Sequence, residues 1–269
     1  MKITLEAFLP TIKPWVIDLA NHWPATVIKP QFAVWEVAHI LSLVMLGGTA
    51  ILINLRLAGV GLKDAPPSEI YRNLRRWQDA AVIGIVVSGL LIGTANAERL
   101  YASTAFVVKL LALIAGLILT YGVSRPTAQA DGVVSVTARG FLVLGSGVWL
   151  LALSILAASV QINPGLLHIV AAAALIVWLA ARGRRRVLVL AVLAGLLAIQ
   201  WVVTTILIRP DDLPRLDPVN QVFAGLFVCW ILIAGLAQSG SWLSTKLVGY
   251  VSILVWVTAA AAGRWIAFA

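Results

Sequence analysis

The strongest constraint on this chain is the recurrence of apolar runs close to the length of a bilayer crossing. Such runs lie at 33–55, 80–97, 102–122, 140–160, 165–182, 187–208, 220–238 and 246–268. A helix of about 20 apolar residues spans the hydrocarbon core of a membrane. Lipid offers no partner for backbone N–H and C=O groups, so each run predicts a helix that satisfies its own backbone. Charged residues make up 12% of the chain, against roughly 25% in a soluble domain. Too little polar surface is left to face water. The fold predicted is all-α, an integral membrane bundle of about eight transmembrane helices. The stretch 165–208 is cut into two spans because Arg182 and Arg184–Arg186 interrupt it.

The bundle occupies residues 32–269 as one unit, and residues 1–31 read differently. Pro10, Pro14, Pro24 and Pro30 break that segment, while Leu5, Phe8, Leu9, Ile12, Trp15, Val16, Leu19 and Trp23 recur at helical spacing. This predicts an amphipathic segment lying in the interface with its indoles at headgroup depth. No Ala-x-Ala cleavage pattern precedes the first long run, so no removable signal is expected.

Basic residues distribute unevenly among the loops. Arg56, Lys63, Arg72, Arg75 and Arg76 follow the first span, Arg125 and Arg139 the third, Arg182 and Arg184–Arg186 the fifth, and Lys246 the seventh. The opposite loops hold Glu98–Arg99, the uncharged 161–165, and an acidic segment with Asp211, Asp212 and Asp217. The positive-inside rule makes the first set cytoplasmic and puts both termini outside. The net charge of +9 thereby has a topological explanation, and no nucleic-acid role is expected.

Two halves echo one another. His39-Ile40 and His168-Ile169 each open an apolar run that ends in arginine, and Gly-Leu-Leu recurs at Gly89 and Gly195. A four-plus-four repeat with halves 32–160 and 161–269 fits these echoes.

Ionisable side chains inside membrane spans are costly to bury and mark function by default. His39 and Lys109 lie about 10 Å inside their spans, counting 1.5 Å per residue from the outer boundary. His168 and Arg264 lie closer to the same boundary. Two imidazoles at matching depth on separate helices can ligate a haem iron from opposite sides, with Lys109 and Arg264 as propionate partners. The plainer alternatives are an interhelical hydrogen-bonding histidine, a snorkelling lysine and an anchoring arginine. Trp23, Trp35, Trp149, Trp242 and Trp265 read as interface belt. Only Met1, Met45 and the lone Cys229 carry sulfur, which disfavours a copper relay and excludes an internal disulfide. Signatures for nucleotide hydrolysis, zinc proteolysis and covalent haem attachment are absent.

Four stretches, 35–59, 75–94, 101–116 and 250–268, resemble a group of uncharacterised bacterial multi-pass membrane proteins. That group is similar in plan to the copper-resistance D membrane family and to the haem-biosynthetic membrane oxidase that converts protoporphyrinogen. The shared plan comprises an early histidine and an inner arginine on the first helix, Gly-Leu-Leu on the second and a lysine on the third. Those positions are His39, Arg56, Gly89 with Leu90 and Leu91, and Lys109, and the closing Gly-Arg-Trp is Gly263-Arg264-Trp265. The resemblance implies haem b and a bacterial cytoplasmic membrane; it covers roughly 100 residues and supplies no counterpart for His168. The expectation is a membrane subunit that holds haem b near the outer face between His39 and His168. It would pass electrons between an outer-face partner and the quinone pool, without catalysis of its own. A cofactor-free accessory subunit of a larger membrane complex and a copper transporter are the alternatives.

Overall fold

A computed structural model describes residues 3–62, 64–208, 212–240 and 244–267. Lys63, Asp211 and Trp242 lie outside the described residues. Among the described residues the regular structure is helical throughout, and eight helices are long and apolar enough to cross a membrane. The chain is thus an all-α bundle of the multi-pass membrane type, with apolar flanks suited to lipid.

The spans are α1 (Phe32–Leu57), α2 (Pro67–Ala95), α3 (Thr104–Leu119), α4 (Val136–Ala158), α5 (Leu166–Ala180), α6 (Gly183–Val202), α7 (Leu213–Ser239) and α8 (Thr245–Trp265). Three helices start on a hydroxyl cap: Ser103 accepts from Phe106 N–H, Ser135 from Ala138 N–H and Ser244 from Leu247 N–H, which satisfies an otherwise orphaned donor. α2 begins thirteen residues before the apolar run at 80. Pro67 at its first position is preset for the helix, and the polar turns through Arg72 and Gln78 are good helix formers. α3 continues through a π turn, Thr120–Ser124, into Arg125–Gln129. Pro126 has no N–H to give the carbonyl of Gly122, and the backbone before it widens, with Arg125 N–H reaching back to Thr120 C=O.

α8 is the axis of the bundle: 78% of its most apolar stretch is buried, against 6% for α6. It packs on α1 and α3 along one side and on α5 and α7 along the other, while α6 leans on α7 and α5 at the periphery. Between membrane helices the attraction comes from close packing and interhelical hydrogen bonds, so small residues gather where backbones meet. A Cβ at Gly249 would lie 2.3 Å from the Asn54 carbonyl oxygen and 2.6 Å from Ala58 N, so α8 touches the backbone of α1 there. Gly116 of α3 seats the Trp256 ring and Gly235 of α7 seats Tyr250. Several buried indoles and phenols find an acceptor across a helix pair, as buried aromatic N–H and O–H groups prefer. Trp149 Nε1 donates to Thr258 Oγ1 at 2.9 Å, Trp230 Nε1 to Val189 C=O at 2.9 Å and Tyr250 OH to Ile231 C=O at 2.8 Å. Trp149, expected in the interface belt, is 1% exposed and belongs to the core. Its donor is used by α8, not by headgroups.

The four-plus-four echo does not extend to equal roles. α8 is enclosed where its counterpart α4 is not, with 44% of its apolar stretch buried. The amino-terminal segment folds as short helices, Leu5–Phe8, Lys13–Asn21 and Ala25–Ile28. They cap the end of α2 and the short helix Ala97–Tyr101. Tyr101 OH donates to Leu9 C=O, Lys29 Nζ donates to Ala20 C=O at 2.6 Å, and Arg99 Nη2 donates to Ala267 C=O at 2.8 Å, tying both termini to one end of the bundle. Trp15 and Trp23 stay exposed on this cap, 63% and 78%. The arginine-rich loops occupy the opposite, basic end. There Ser68 N–H donates to Asp131 Oδ1 at 3.0 Å, and Ser68 holds that carboxyl below the ordinary aspartate value.

Candidate functional site: a histidine, a serine and a lysine on three helices

Seven residues into α1, His39 turns half-buried toward α2 and α3. Its Nδ1 lies 2.9 Å from Ser88 Oγ on α2. The Ser88 hydroxyl spends its one hydrogen on the Gly84 carbonyl at 2.5 Å, so toward the ring it acts as acceptor. The network therefore assigns the hydrogen to Nδ1 and leaves the Nε2 lone pair free. That lone pair faces Lys109 Nζ on α3, 3.5 Å away. Such a distance is the outer limit of a hydrogen bond, and both nitrogens keep capacity for another partner.

Glycines of two helices lie against the pair, Gly89 tightly and Gly263 at ordinary contact distance. A Cβ at Gly89 would lie 3.2 Å from His39 Cε1, so the α2 backbone is the floor on which the imidazole rests. A Cβ at Gly263 would lie 3.6 Å from Lys109 Nζ, so α8 passes close to the amine. Among the described residues no carboxylate lies within ion-pair range of Lys109. A half-buried ammonium in a membrane span whose nearest polar neighbour is an imidazole is an expensive arrangement to keep for packing alone.

Of the four residues predicted as a site, the structure brings His39 and Lys109 together. Arg264 sits on the exposed last turn of α8, one residue beyond Gly263. His168 is elsewhere: it is exposed near the start of α5, with Nδ1 3.2 Å from the Gly165 carbonyl of its own turn. α5 packs on α8, α7 and α6, and α8 lies between it and α1. The two imidazoles thus do not face one another across a common space. Of the His39 nitrogens, Nδ1 is used by Ser88, and Nε2 faces Lys109 and not His168. The arrangement does not fit a haem held between His39 and His168. Among the described residues no three His, Cys, Asp or Glu side chains converge as a metal donor set, and Cys229 is solitary and exposed.

Sequence reasoning overlooked Ser88, which carries no charge and looks like any small residue of an apolar helix. It also overlooked a second polar cluster toward the basic end. Buried Asn54 accepts from Ser124 Oγ at 2.8 Å, and Ser124 Oγ meets Ser252 Oγ at 3.0 Å, joining α1, the π turn and α8. The next residue, Arg125, pairs with Asp79 and bonds Gln78 Oε1 at 3.2 Å, with its guanidinium 4.0 Å from the Tyr121 ring centre. In this pair Arg125 is largely buried and Asp79 about half exposed. Asp79 and Arg125 fall just outside the apolar runs as read from hydropathy, yet both sit on continuous helix.

A family of unknown function, DUF6644, matches residues 31–142. That stretch holds His39, Ser88, Gly89, Lys109 and the Asp79–Arg125 pair, and stops short of α8. No curated protein and no solved structure matches the chain.

Proposed function

We propose that the chain is the membrane subunit of a redox complex, and that His39 and Lys109 bind the head group of a membrane quinone. The observation that carries this reading is the open contact between the two nitrogens: an oriented acceptor and a donor, 3.5 Å apart, within the span. A quinol hydroxyl oxygen placed between them donates its hydrogen to His39 Nε2 and accepts one from Lys109. On oxidation to the quinone, the quinol gives up two electrons and two protons. The electrons pass to a one-electron centre on a partner subunit. His39 takes the first proton and returns it to water at the near surface, and the second follows the same path. Ser88 keeps the ring in the tautomer this exchange requires, as an orienting partner does for a catalytic base. With the basic loops cytoplasmic by the positive-inside rule, the site lies in the outer half of a bacterial cytoplasmic membrane and both termini are outside.

The test is the quinone content and the reduced-minus-oxidised spectrum of one purified sample. Quinone should be extracted from wild type and from His168→Ala. His39→Ala should retain at least about tenfold less, the loss of one hydrogen bond to a charged or strongly polar group. Absence of quinone from the wild type would end the proposal. Absorption bands of b-type haem that vanish with either histidine would restore the haem reading in its place.

A second reading, an accessory subunit without a redox ligand, draws on α6, whose long apolar surface is left almost bare. It requires that His39→Ala assemble and support its complex as wild type does.

A further inference from the structure

Arg72, Arg75 and Arg76 occupy the early turns of α2 at the basic end, and all three are exposed. At 100° per residue their side chains fall within one 100° arc of the helix, with Arg72 in the middle. Arg184, Arg185 and Arg186, by contrast, are consecutive and fan around α6, and Arg186 is turned onto Trp178, 4.9 Å from its ring. Among the described residues none of Arg72, Arg75 and Arg76 makes an ion pair with a carboxylate. Asp79, the next acid along α2, is engaged by Arg125.

The order of residues along α2 matches the order of layers in a lipid monolayer. After a first turn that carries the exposed Glu69 come the three guanidinium groups, then Trp77, 62% exposed, then Gln78 and Asp79 and the apolar run from Ala80. Indoles settle at headgroup depth, so the arginines stand at the level of the phosphates. Guanidinium presents paired N–H donors that match phosphate oxygens, and basic clusters at the end of a span recognise anionic headgroups. Topology alone needs only the charge, in any arrangement. Three guanidinium groups on one face without an ion-pair partner among the described residues, followed along the axis by an indole, form a surface for a ligand.

We propose that this face of α2 binds an anionic phospholipid, whose phosphate is held by Arg72, Arg75 and Arg76 while its acyl chains lie along the exposed side of α2. The proposal is independent of the quinone reading, because it concerns the other end of the bundle and a different helix face.

Detergent-purified protein is incubated with a mixture of phosphatidylglycerol and phosphatidylcholine, and bound lipid is counted by native mass spectrometry. Wild type should retain phosphatidylglycerol in preference to phosphatidylcholine. The triple variant Arg72→Gln, Arg75→Gln, Arg76→Gln should retain it at least about tenfold less, since each basic group near the surface contributes about fivefold. The triple variant Arg184→Gln, Arg185→Gln, Arg186→Gln removes the same charge and should bind as wild type. Equal retention by the α2 variant, no preference in the wild type, or an equal loss in the α6 variant would each overturn the proposal. Should the α2 triple variant fail to insert, Arg72→Gln alone carries the test, with a loss of about fivefold expected and unchanged retention counting against it.

Discussion

Gly249→Ala is expected to disrupt the bundle more than any other single-methyl change in the chain. The added carbon would stand 2.3 Å from a backbone oxygen and 2.6 Å from a backbone nitrogen of α1. Neither atom can swing aside as a side-chain tip could, so α8 must move off α1 as a body. Overpacking of this kind costs about 1–3 kcal/mol in tolerant cores and more where backbone is involved. Because α8 also carries Ser252 to the Ser124–Asn54 cluster and Gly263 to Lys109, the shift would loosen both ends of the bundle. Thermal unfolding in detergent should fall by many degrees or folded protein should fail to accumulate. Gly140→Ala and Gly225→Ala, where a Cβ would meet nothing within 4 Å, should behave as wild type. A Gly249→Ala protein of normal stability would mean that α8 and α1 do not meet as described.

Lys109→Met should act in the opposite direction on stability while removing function. Methionine is close to lysine in volume and flexible enough to fill the same space, and it leaves no buried ammonium. A charge at membrane depth costs about 2.5–3.5 kcal/mol on insertion scales, and part of that cost should be recovered, so the unfolding temperature should stay level or rise. Quinone retention should fall at least tenfold, by the loss of a charged donor. A residue that gains stability on removal and loses a ligand has been kept for the ligand, the usual exchange at functional sites. Were Lys109 a structural residue holding His39 in place, the same substitution would destabilise the protein, and quinone content would follow only the amount folded.

Hydropathy made the eight spans legible because lipid allows few alternatives to a self-satisfied helix. It failed where helices run on through polar residues. The first turns of α2 and the continuation of α3 past Tyr121 carry Arg72, Gln78, Asp79 and Arg125, which read as loop by composition but share the ladder of the span. Depth was legible as well: counting residues put His39 and Lys109 at one level, and the structure sets them 3.5 Å apart. Adjacency between distant spans was not. His168 lies nearer the same boundary, yet α8 separates its helix from α1, and depth carries no information about which helices are neighbours. Ser88 was invisible because a serine in an apolar helix ordinarily bonds its own carbonyl at i−4. Ser88 does that with Gly84 and also accepts from His39, a second role that appears only when α1 is laid against α2.

The most direct test of the central claim, that His39 and Lys109 form one ligand site, is a titration with a short-chain quinone. Four purified proteins would be followed by a change in intrinsic tryptophan fluorescence: wild type, His39→Ala, Lys109→Met and His168→Ala. The account predicts saturable binding to wild type and to His168→Ala, and affinity at least about tenfold weaker in the other two. Equal affinity in all four proteins, or a loss confined to His168→Ala, would contradict it.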